Sequence, residues 1–526
     1  MSRRSWLVGV FALLAFAQTL AYYVYLRDDP GNYNGAGAQG DQVAYIDLAQ
    51  QVLHGTWQGA VHYMPGLPAV LALSQVAFGD PRFGIAVVQG VVYALVVVVA
   101  ARLAAAAFGE ASGVWAAGAV GLNPALGYYA AQALTEFLTA AGLLALAGVV
   151  FAWARRGQTA AARPRDATGR PRDAAGSRPA LAMAALAALL IACLGYLRAE
   201  YLGLAVVFAL LLVWLGRGRR GVRDAAVLLA VTALAMAPWV IRSAVTTGSP
   251  ALYNESPFSN LVLMGTWFRV FDEQTFSELQ QIETAPGSRE DAIQRAATVG
   301  PRPELAQRYM QQARGPYERP LGETLGLAVG NVRLNLRQYL VNHLVLAPVL
   351  IWAGHTPVRQ ADAPHLPASG RYAIWAAELG LLVLALWQAL LTLRGDARGS
   401  SAVDRLSRPE RESRGGSPRT DEARGTDGAR GTDGARRTDG ARAAFPPGIR
   451  WSGAGPHGSP AREPAAALAM SFIAIVVFLT VVHILIAVDE RFTTPALPLV
   501  GVLAGARLAG LRFFVSPVLA SSRRPT

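Results

Sequence analysis

Gly40-Asp41-Gln42-Val43-Ala44-Tyr45-Ile46-Asp47-Leu48-Ala49 stands just behind an apolar run over residues 5–26, and Tyr63-Met64-Pro65-Gly66-Leu67-Pro68 follows shortly after it. The first stretch opens a helix over 41–54. Ala44, Tyr45, Leu48 and Val52 recur at spacings of three and four, so they share one face. Such a helix can lie on a membrane surface, with Asp41 at one end of the face. Charge at a bilayer boundary is costly and usually functional. Asp is also a favourable N-cap; the two roles are compatible, because a cap fixes a carboxylate in place. Asp28 and Asp29 fall in a Gly-rich loop and read as solvated, and Asp47 falls on the polar face of the helix.

Around this stretch the chain is apolar. Of 526 residues, 53% are hydrophobic, and the mean hydropathy is +0.30. Several runs exceed the roughly 18 residues that mark a spanning helix. They are continuous and not alternating, which excludes a barrel. The fold class is therefore an all-α polytopic membrane protein. The net charge of +13 comes from 48 basic residues, all of them Arg. They collect in loops between apolar runs, as the positive-inside rule describes, and form no nucleic-acid-binding face. Cys193 is the single cysteine, so neither a disulfide framework nor a Cys-based metal site is available.

Apolar runs fall at 5–26, 83–108, 113–130, 134–153, 180–197, 201–216, 224–244, 372–394, 466–488 and 494–512, giving about ten crossings. The first reads as an uncleaved span, with cleavage after Ala15-Phe16-Ala17 as the alternative. Loop 154–179 carries seven Arg and two Asp, loop 217–223 four Arg, and 394–465 fourteen Arg against ten acidic residues. All three belong on the cytoplasmic side, as do both termini. Parity then denies a crossing to the weaker runs at 66–79 and 338–353, which read as re-entrant or surface helices on the opposite face. The domain reading is a membrane core over 1–394 that includes outer loop 27–82 and extracytoplasmic segment 245–371. An insert at 395–465 follows, then the C-terminal helices and tail at 466–526. The imperfect Gly-Thr-Asp-Gly-Ala-Arg repeat between Gly425 and Arg442 cannot bury a core and marks the insert as disordered.

This topology gathers the polar features on one side. Glu136 starts a helix where the chain turns back into the membrane, a place where a carboxylate also suits the helix dipole. Arg198 and Glu200 interrupt a long apolar stretch. An Arg on that face suits a phosphate in a fork geometry, or else forms an ion pair with Glu200. Arg242 closes Pro238-Trp239-Val240-Ile241-Arg242, and Arg491 lies in the last outer turn, Asp489-Glu490-Arg491-Phe492. Asn254, Glu255 and His343 read as solvated, and His483 as packed inside a span. No P-loop, HExxH, Gly-x-Ser-x-Gly or zinc spacing is present. The signal is the convergence of carboxylates and arginines at one lipid interface.

In their order along the chain these features resemble the GT-C superfamily of integral-membrane glycosyltransferases, in particular the protein O-mannosyltransferases and the lipid A aminoarabinose transferases. The matching elements are Gly-Asp-x-x-x-Tyr at Asp41 and Tyr45, Tyr-x-Pro-Gly-x-Pro from Tyr63 to Pro68, and the acidic turn at Glu136. They continue with the basic turn at Arg198, Pro-Trp-x-x-Arg from Pro238 to Arg242, and Arg-Phe-x-x-Pro-x-x-Pro from Arg491 to Pro498. The resemblance covers roughly 5–260 and 466–512. It implies transfer of a sugar, with inversion, from a polyprenyl-phosphate carrier to a lipid, glycan or protein acceptor at the extracytoplasmic face of the cell membrane. Asp41 would be the general base, with Glu136 as a second catalytic carboxylate. Tyr45, Tyr63, Arg198, Glu200, Arg242 and Arg491 would bind substrate. Where some relatives hold a carboxylate or His metal ligand, this chain has Met64 with His62 beside it. No metal ligand set is assigned, and a divalent cation supported by Glu136 remains an option. The rival readings are a lipid or sugar transporter, which would place polar groups at mid-membrane on broken helices, and a non-catalytic membrane scaffold.

Overall fold

The computed structural model describes residues 3–27, 41–57, 63–161, 173–216, 218–247, 262–316, 319–353, 368–394, 462–486 and 494–520. Among these residues every regular element is helical. Eight helices are long and apolar enough to cross a membrane. They lie in α1 (Arg3–Arg27), α4 (Pro81–Phe108), α7 (Glu136–Ala161), α8 (Asp173–Leu197), α9 (Gly203–Gly216, with the preceding turn Ala199–Leu202) and α10 (Arg219–Thr247), followed by α17 (Ala368–Leu393) and α18 (Arg462–Ile486). Between α1 and α4 lie the shorter α2 (Asp41–His54) and α3 (Gly66–Phe78).

Two of the ten expected crossings take another form. The run at 113–130 is broken into α5 (Glu110–Gly121) and α6 (Pro124–Ala130). Asn123 causes the break: its Oδ1 accepts a hydrogen bond from the Leu126 N–H at 3.1 Å, with Pro124 at the first helical position. Both are helix-start devices. The run at 494–512 enters α19 (Leu497–Ala520) through a short turn at 494–496, and the apolar segment Thr494–Gly510 is shorter than the eight spans. It packs tightly on α5, where a Cβ on Gly505 would lie 2.5 Å from the Ala116 nitrogen. Small residues at such crossings let helix backbones approach in the membrane, where dispersion and not water exclusion drives packing.

The main core joins Val97 of α4, Phe137 and Leu143 of α7, Ile191 of α8, Phe208 of α9, Phe472 of α18 and Leu503 of α19. The bundle is polar from end to end. α7 starts at Glu136 and reaches Arg155 and Arg156 some 20 residues on, while α10 starts at Arg219 and reaches Arg242 only near its last turn. At 1.5 Å per residue each separation is roughly 30 Å, a membrane thickness. At the Arg-rich end the Trp153 indole donates to Asp224 at 2.9 Å, and Arg223 Nη2 to the same fully buried carboxylate at 3.0 Å.

A separate helical unit stands between α10 and α17. It comprises α11 (Glu273–Thr284), α12 (Arg289–Ala296), α13 (Pro303–Ala313) and α14 (Leu321–Leu334), with its own core around Trp267, Leu279, Tyr309 and Met310. Asp272 and Ser288 cap α11 and α12, accepting from the Thr275 and Asp291 N–H groups at 2.8 and 3.1 Å. A buried amide network fixes it internally: Trp267 Nε1 donates to Gln312 at 2.8 Å, and Asn331 Nδ2 donates to Thr266 at 2.9 Å. After α14 the chain runs through α15 (Leu336–Val341), a π-turn over Asn342–Leu346 and α16 (Ala347–Ala353).

Candidate functional site

The helix expected over 41–54 is α2, and its apolar face meets protein. Tyr45 and Ala49 are buried, and they pack with Leu67 and Leu71 of α3 and with Ala133. Asp47 is exposed. This packing places Asp41 beside the chain entering α3: the Tyr63 hydroxyl donates to Asp41 Oδ1 at 3.2 Å, and the Tyr45 and Tyr63 rings meet edge to face with centroids 4.8 Å apart. Burial holds the Tyr45 phenol far above its ordinary range, while the nearby Arg198 cation pulls the other way. Tyr45 is therefore a neutral hydroxyl, able to donate without changing the charge of the site.

Three glutamines that sequence reasoning passed over join this half to the next. Gln42 Nε2 donates to Gln132 at 3.0 Å, Gln42 Oε1 accepts from the Ala133 N–H at 3.2 Å, and Gln89 donates to the Gln132 carbonyl at 2.8 Å. These bonds pin the turn 131–135, which starts α7. Glu136 follows at the first position of α7 and is 2% exposed. Its Oε1 lies 3.6 Å from Arg198 Nη1, and Arg198 Nε lies 2.6 Å from Glu200 Oε1. The ion-pair alternative for Arg198 and Glu200 is thus present in the structure, and Glu136 joins it. One guanidinium serves two carboxylates, so this trio carries its own neutralising cation.

Arg242 sits differently. Its Nη2 donates to the Trp57 carbonyl at 2.8 Å, and its guanidinium lies over two indoles, 4.9 Å from Trp57 and 5.1 Å from Trp239. Both distances suit cation–π attraction. Arg242 Nη1 and the Trp57 indole N–H are buried and make no hydrogen bond among the described residues, and among the same residues no carboxylate pairs with Arg242. Buried donors without acceptors are rare in proteins. Here two of them flank one cation.

The two halves meet at consecutive residues. Tyr63 holds Asp41, while the next side chain, Met64, is buried against Trp239, Met236 and Ala192, with Trp57 and Tyr196 beside them. Gly66 shows why the Tyr-x-Pro-Gly segment has its form. A Cβ at Gly66 would lie 2.6 Å from the Tyr196 carbonyl oxygen, so only glycine lets the start of α3 seat against the end of α8. The Tyr196 hydroxyl in turn donates to the Ala235 carbonyl of α10 at 2.9 Å.

Asp41, Tyr45, Tyr63, Glu136, Arg198 and Glu200 therefore form one connected group, with Arg242 joined through Met64. Arg491, Asn254, Glu255, His62, Asp28 and Asp29 lie outside the described residues. His343 is buried and not solvated: its ring nitrogens face the Tyr339 and Gly265 carbonyls at 3.0 and 3.1 Å. His483 is buried. Glu378, the one acidic residue inside α17, went unnoticed in the sequence; it lies near Asn123 at the α5–α6 break. A lone carboxyl in an apolar run was the available signal. Among the described residues no three or more His, Cys, Asp or Glu side chains gather as a cation site.

No protein-family model matches this chain, and the search of curated proteins finds no match. Among solved structures the chain is similar to the archaeal oligosaccharyltransferase AglB from Archaeoglobus fulgidus in complex with an inhibitory peptide and a dolichol-phosphate, at 11% identity and a TM-score of 0.46, covering 99% of this chain and 52% of that one. It is also similar to the apo form of the Archaeoglobus fulgidus oligosaccharyltransferase, at 13% identity and a TM-score of 0.46, covering 100% of this chain and 52% of that one. This chain thus spans about half the length of the structures it matches.

Proposed function

We propose that this protein is a membrane glycosyltransferase that moves a sugar, with inversion, from a polyprenyl-phosphate carrier to an acceptor at the extracytoplasmic face. The observation that carries the reading is the side-by-side placement of a carboxylate half, Asp41 with Tyr63 and Glu136–Arg198–Glu200, and a cation half, Arg242 between Trp57 and Trp239. These groups come from residues up to two hundred positions apart, and they lie at the end of the bundle opposite the Arg-rich loops.

The chemistry follows from the charges. The acceptor's hydroxyl or amine attacks the anomeric carbon, Asp41 takes the proton it loses, and the bond to the carrier phosphate breaks with its electrons on the phosphate oxygen. A phosphate leaving group needs charge stabilisation more than a proton. Arg242 is the arginine placed to give it, because its charge is not committed to a carboxylate and its Nη1 has no acceptor. Arg198 is engaged by Glu136 and Glu200 and acts on their placement. Tyr63 orients Asp41, and the neutral Tyr45 is a donor toward substrate hydroxyls. Arg491 would add a further cation from the last turn of that face. Membrane lipid surrounds the site, and the acceptor is a lipid, glycan or protein.

The test is sugar transfer from a panel of radiolabelled polyprenyl-phosphate sugars, in membranes holding wild type or Asp41→Asn. Asn keeps the size of the side chain and removes the base. Transfer by wild type, falling by about a hundred- to ten-thousand-fold in an equally abundant mutant, is the expected result. Equal transfer by both would remove Asp41 from the mechanism. Donor movement across the bilayer without transfer would favour a transporter instead.

A further inference from the structure

The stretch between Leu325 and Val349 is built inside out for water. Leu325, Leu334, Leu336, Leu344, Val345 and Val349 are between 47% and 65% exposed. Three of its polar residues, Asn331, Asn342 and His343, turn inward. Asn331 joins the Trp267–Gln312 network, Asn342 Nδ2 donates to the Phe268 carbonyl at 2.8 Å, and His343 faces the Gly265 carbonyl. The rest of the same unit shows the opposite pattern. Over 262–316 the one large apolar side chain standing exposed is Phe276, at 36%. A contiguous apolar surface of this kind marks an interaction face.

Its position says what covers it. The Trp352 indole donates to Thr480 of α18 at 2.9 Å, about 9 Å along the helix from Ile486, where α18 ends. The surface therefore meets a spanning helix below its end, not above it. Val477 and Val481 of α18, 53% and 50% exposed, continue the same apolar belt. Arg333 and Arg337 are exposed four residues apart where α14 passes into α15, and Glu323 is the one acid on α14. Arginines flanking an apolar surface reach toward headgroup phosphates while their stems stay in the apolar layer.

We propose that residues 325–349 form a wedge inserted into the bilayer, contacting acyl chains through Leu336, Leu344 and Val345 and anionic phospholipid headgroups through Arg333 and Arg337, and that it holds the 262–316 helical unit down on the membrane. This does not depend on the chemistry of the site. The deeper part coincides with the weak apolar run at 338–353; the apolar outward face of α14 extends it by more than ten residues.

The test uses the full-length protein, one copy per nanodisc, with Cys193→Ala as background and a single environment-sensitive label at Leu344→Cys or at Phe276→Cys. The Leu344 label is expected to be quenched by brominated acyl chains and shielded from aqueous iodide, with the reverse at Phe276. Iodide quenching at Leu344 would overturn the wedge. So would shielding from both quenchers, because it would place another part of the same chain over the face. In mixed nanodiscs where only the anionic lipid is brominated, quenching at Leu344 should exceed that lipid's share of the mixture. Arg333→Gln with Arg337→Gln should return it to that share. An unchanged excess would remove the headgroup contact.

Discussion

The two halves of the candidate site treat charge in opposite ways. In the carboxylate half, Arg198 lies between Glu136 and Glu200 at 3.6 and 2.6 Å; its one positive charge is shared by two carboxylates inside the protein. In the cation half, Arg242 is held by two indole faces and one carbonyl, with a buried N–H left over. A guanidinium whose partners are neutral keeps its full field for an incoming anion, while one between carboxylates is a structural tie. The sequence alone put both arginines in the same role. Their surroundings separate them, and substitution can test the separation.

Between the two arginines, the larger loss of transfer is expected at Arg242. Arg242→Gln removes the cation proposed to meet the departing phosphate, and transfer should fall by about a hundred- to a thousand-fold, the cost of losing one oxyanion-stabilising donor. Its thermal stability should fall less than that of an Arg198 variant, because the Trp57 carbonyl bond and two indole contacts are lost but, among the described residues, no carboxylate loses a partner. Arg198→Gln should show the reverse pattern. It leaves Glu136 buried without its cation and should lower stability by about 2 kcal/mol. That is less than for a wholly buried pair, because 22% of the Arg198 side chain is exposed. Adding Glu136→Gln should recover part of that loss. If Arg198→Gln folded normally and lost only donor binding, the assignment of the two arginines would have to be exchanged.

The join between the halves is the next place to press. A methyl group at Gly66 would stand 2.6 Å from the Tyr196 carbonyl oxygen, and both partners there are backbone, so neither can swing aside. Gly66→Ala should cost about 1–3 kcal/mol as overpacking, read as a lower unfolding temperature in detergent. Because α3 carries Tyr63 and Met64 at its entry, transfer should fall as well. A stable Gly66→Ala protein with lowered transfer would sharpen the point, since the join would then serve geometry more than stability. Unchanged stability and transfer together would sink it.

Much of this was legible in the sequence. Run length and the Arg pattern give the helical membrane class, and spacings of three and four give α2 its start at Asp41. Glu136 and Arg198 stand out because a charge between apolar runs is costly. At Asn123 and Pro124 the sequence marks a kink and not a full break, because Gly and Ala on either side keep the run apolar, while a cap and a proline act over only two residues. Gln42, Gln89 and Gln132 were not legible, because uncharged amides leave no mark on hydropathy and matter only once paired. Trp57 was missed for a related reason: its value lies in standing opposite Trp239, some 180 residues away, and only the packing of Met64 brings them together.

The smallest prediction concerns the unit that carries no part of the site. Asp272 caps α11 with both carboxylate oxygens, accepting from the Thr275 N–H and hydroxyl at 2.8 and 2.9 Å. The Thr275 backbone bond, then the Thr275 side-chain bond, hold its carboxyl below the ordinary Asp value of 3.8. The folded state thus binds the proton less readily than the unfolded chain. Its contribution to stability is fully present above pH 3.8, begins to fade as the pH falls below it, and is lost once the depressed value is passed. Asp272→Asn keeps a cap that does not titrate. Compared at neutral pH the two proteins should unfold alike, and on acidification toward pH 3 the wild type should lose the larger share of its stability. Unfolding of α11–α13, followed by hydrogen exchange, reads this locally. The membrane bundle's own exchange should not respond to the substitution, because the 262–316 unit has a core of its own around Trp267, Tyr309 and Met310. If the bundle lost protection along with it, the two cores would be one cooperative unit, and the contrast between a site built in the bundle and a unit resting on it would fail.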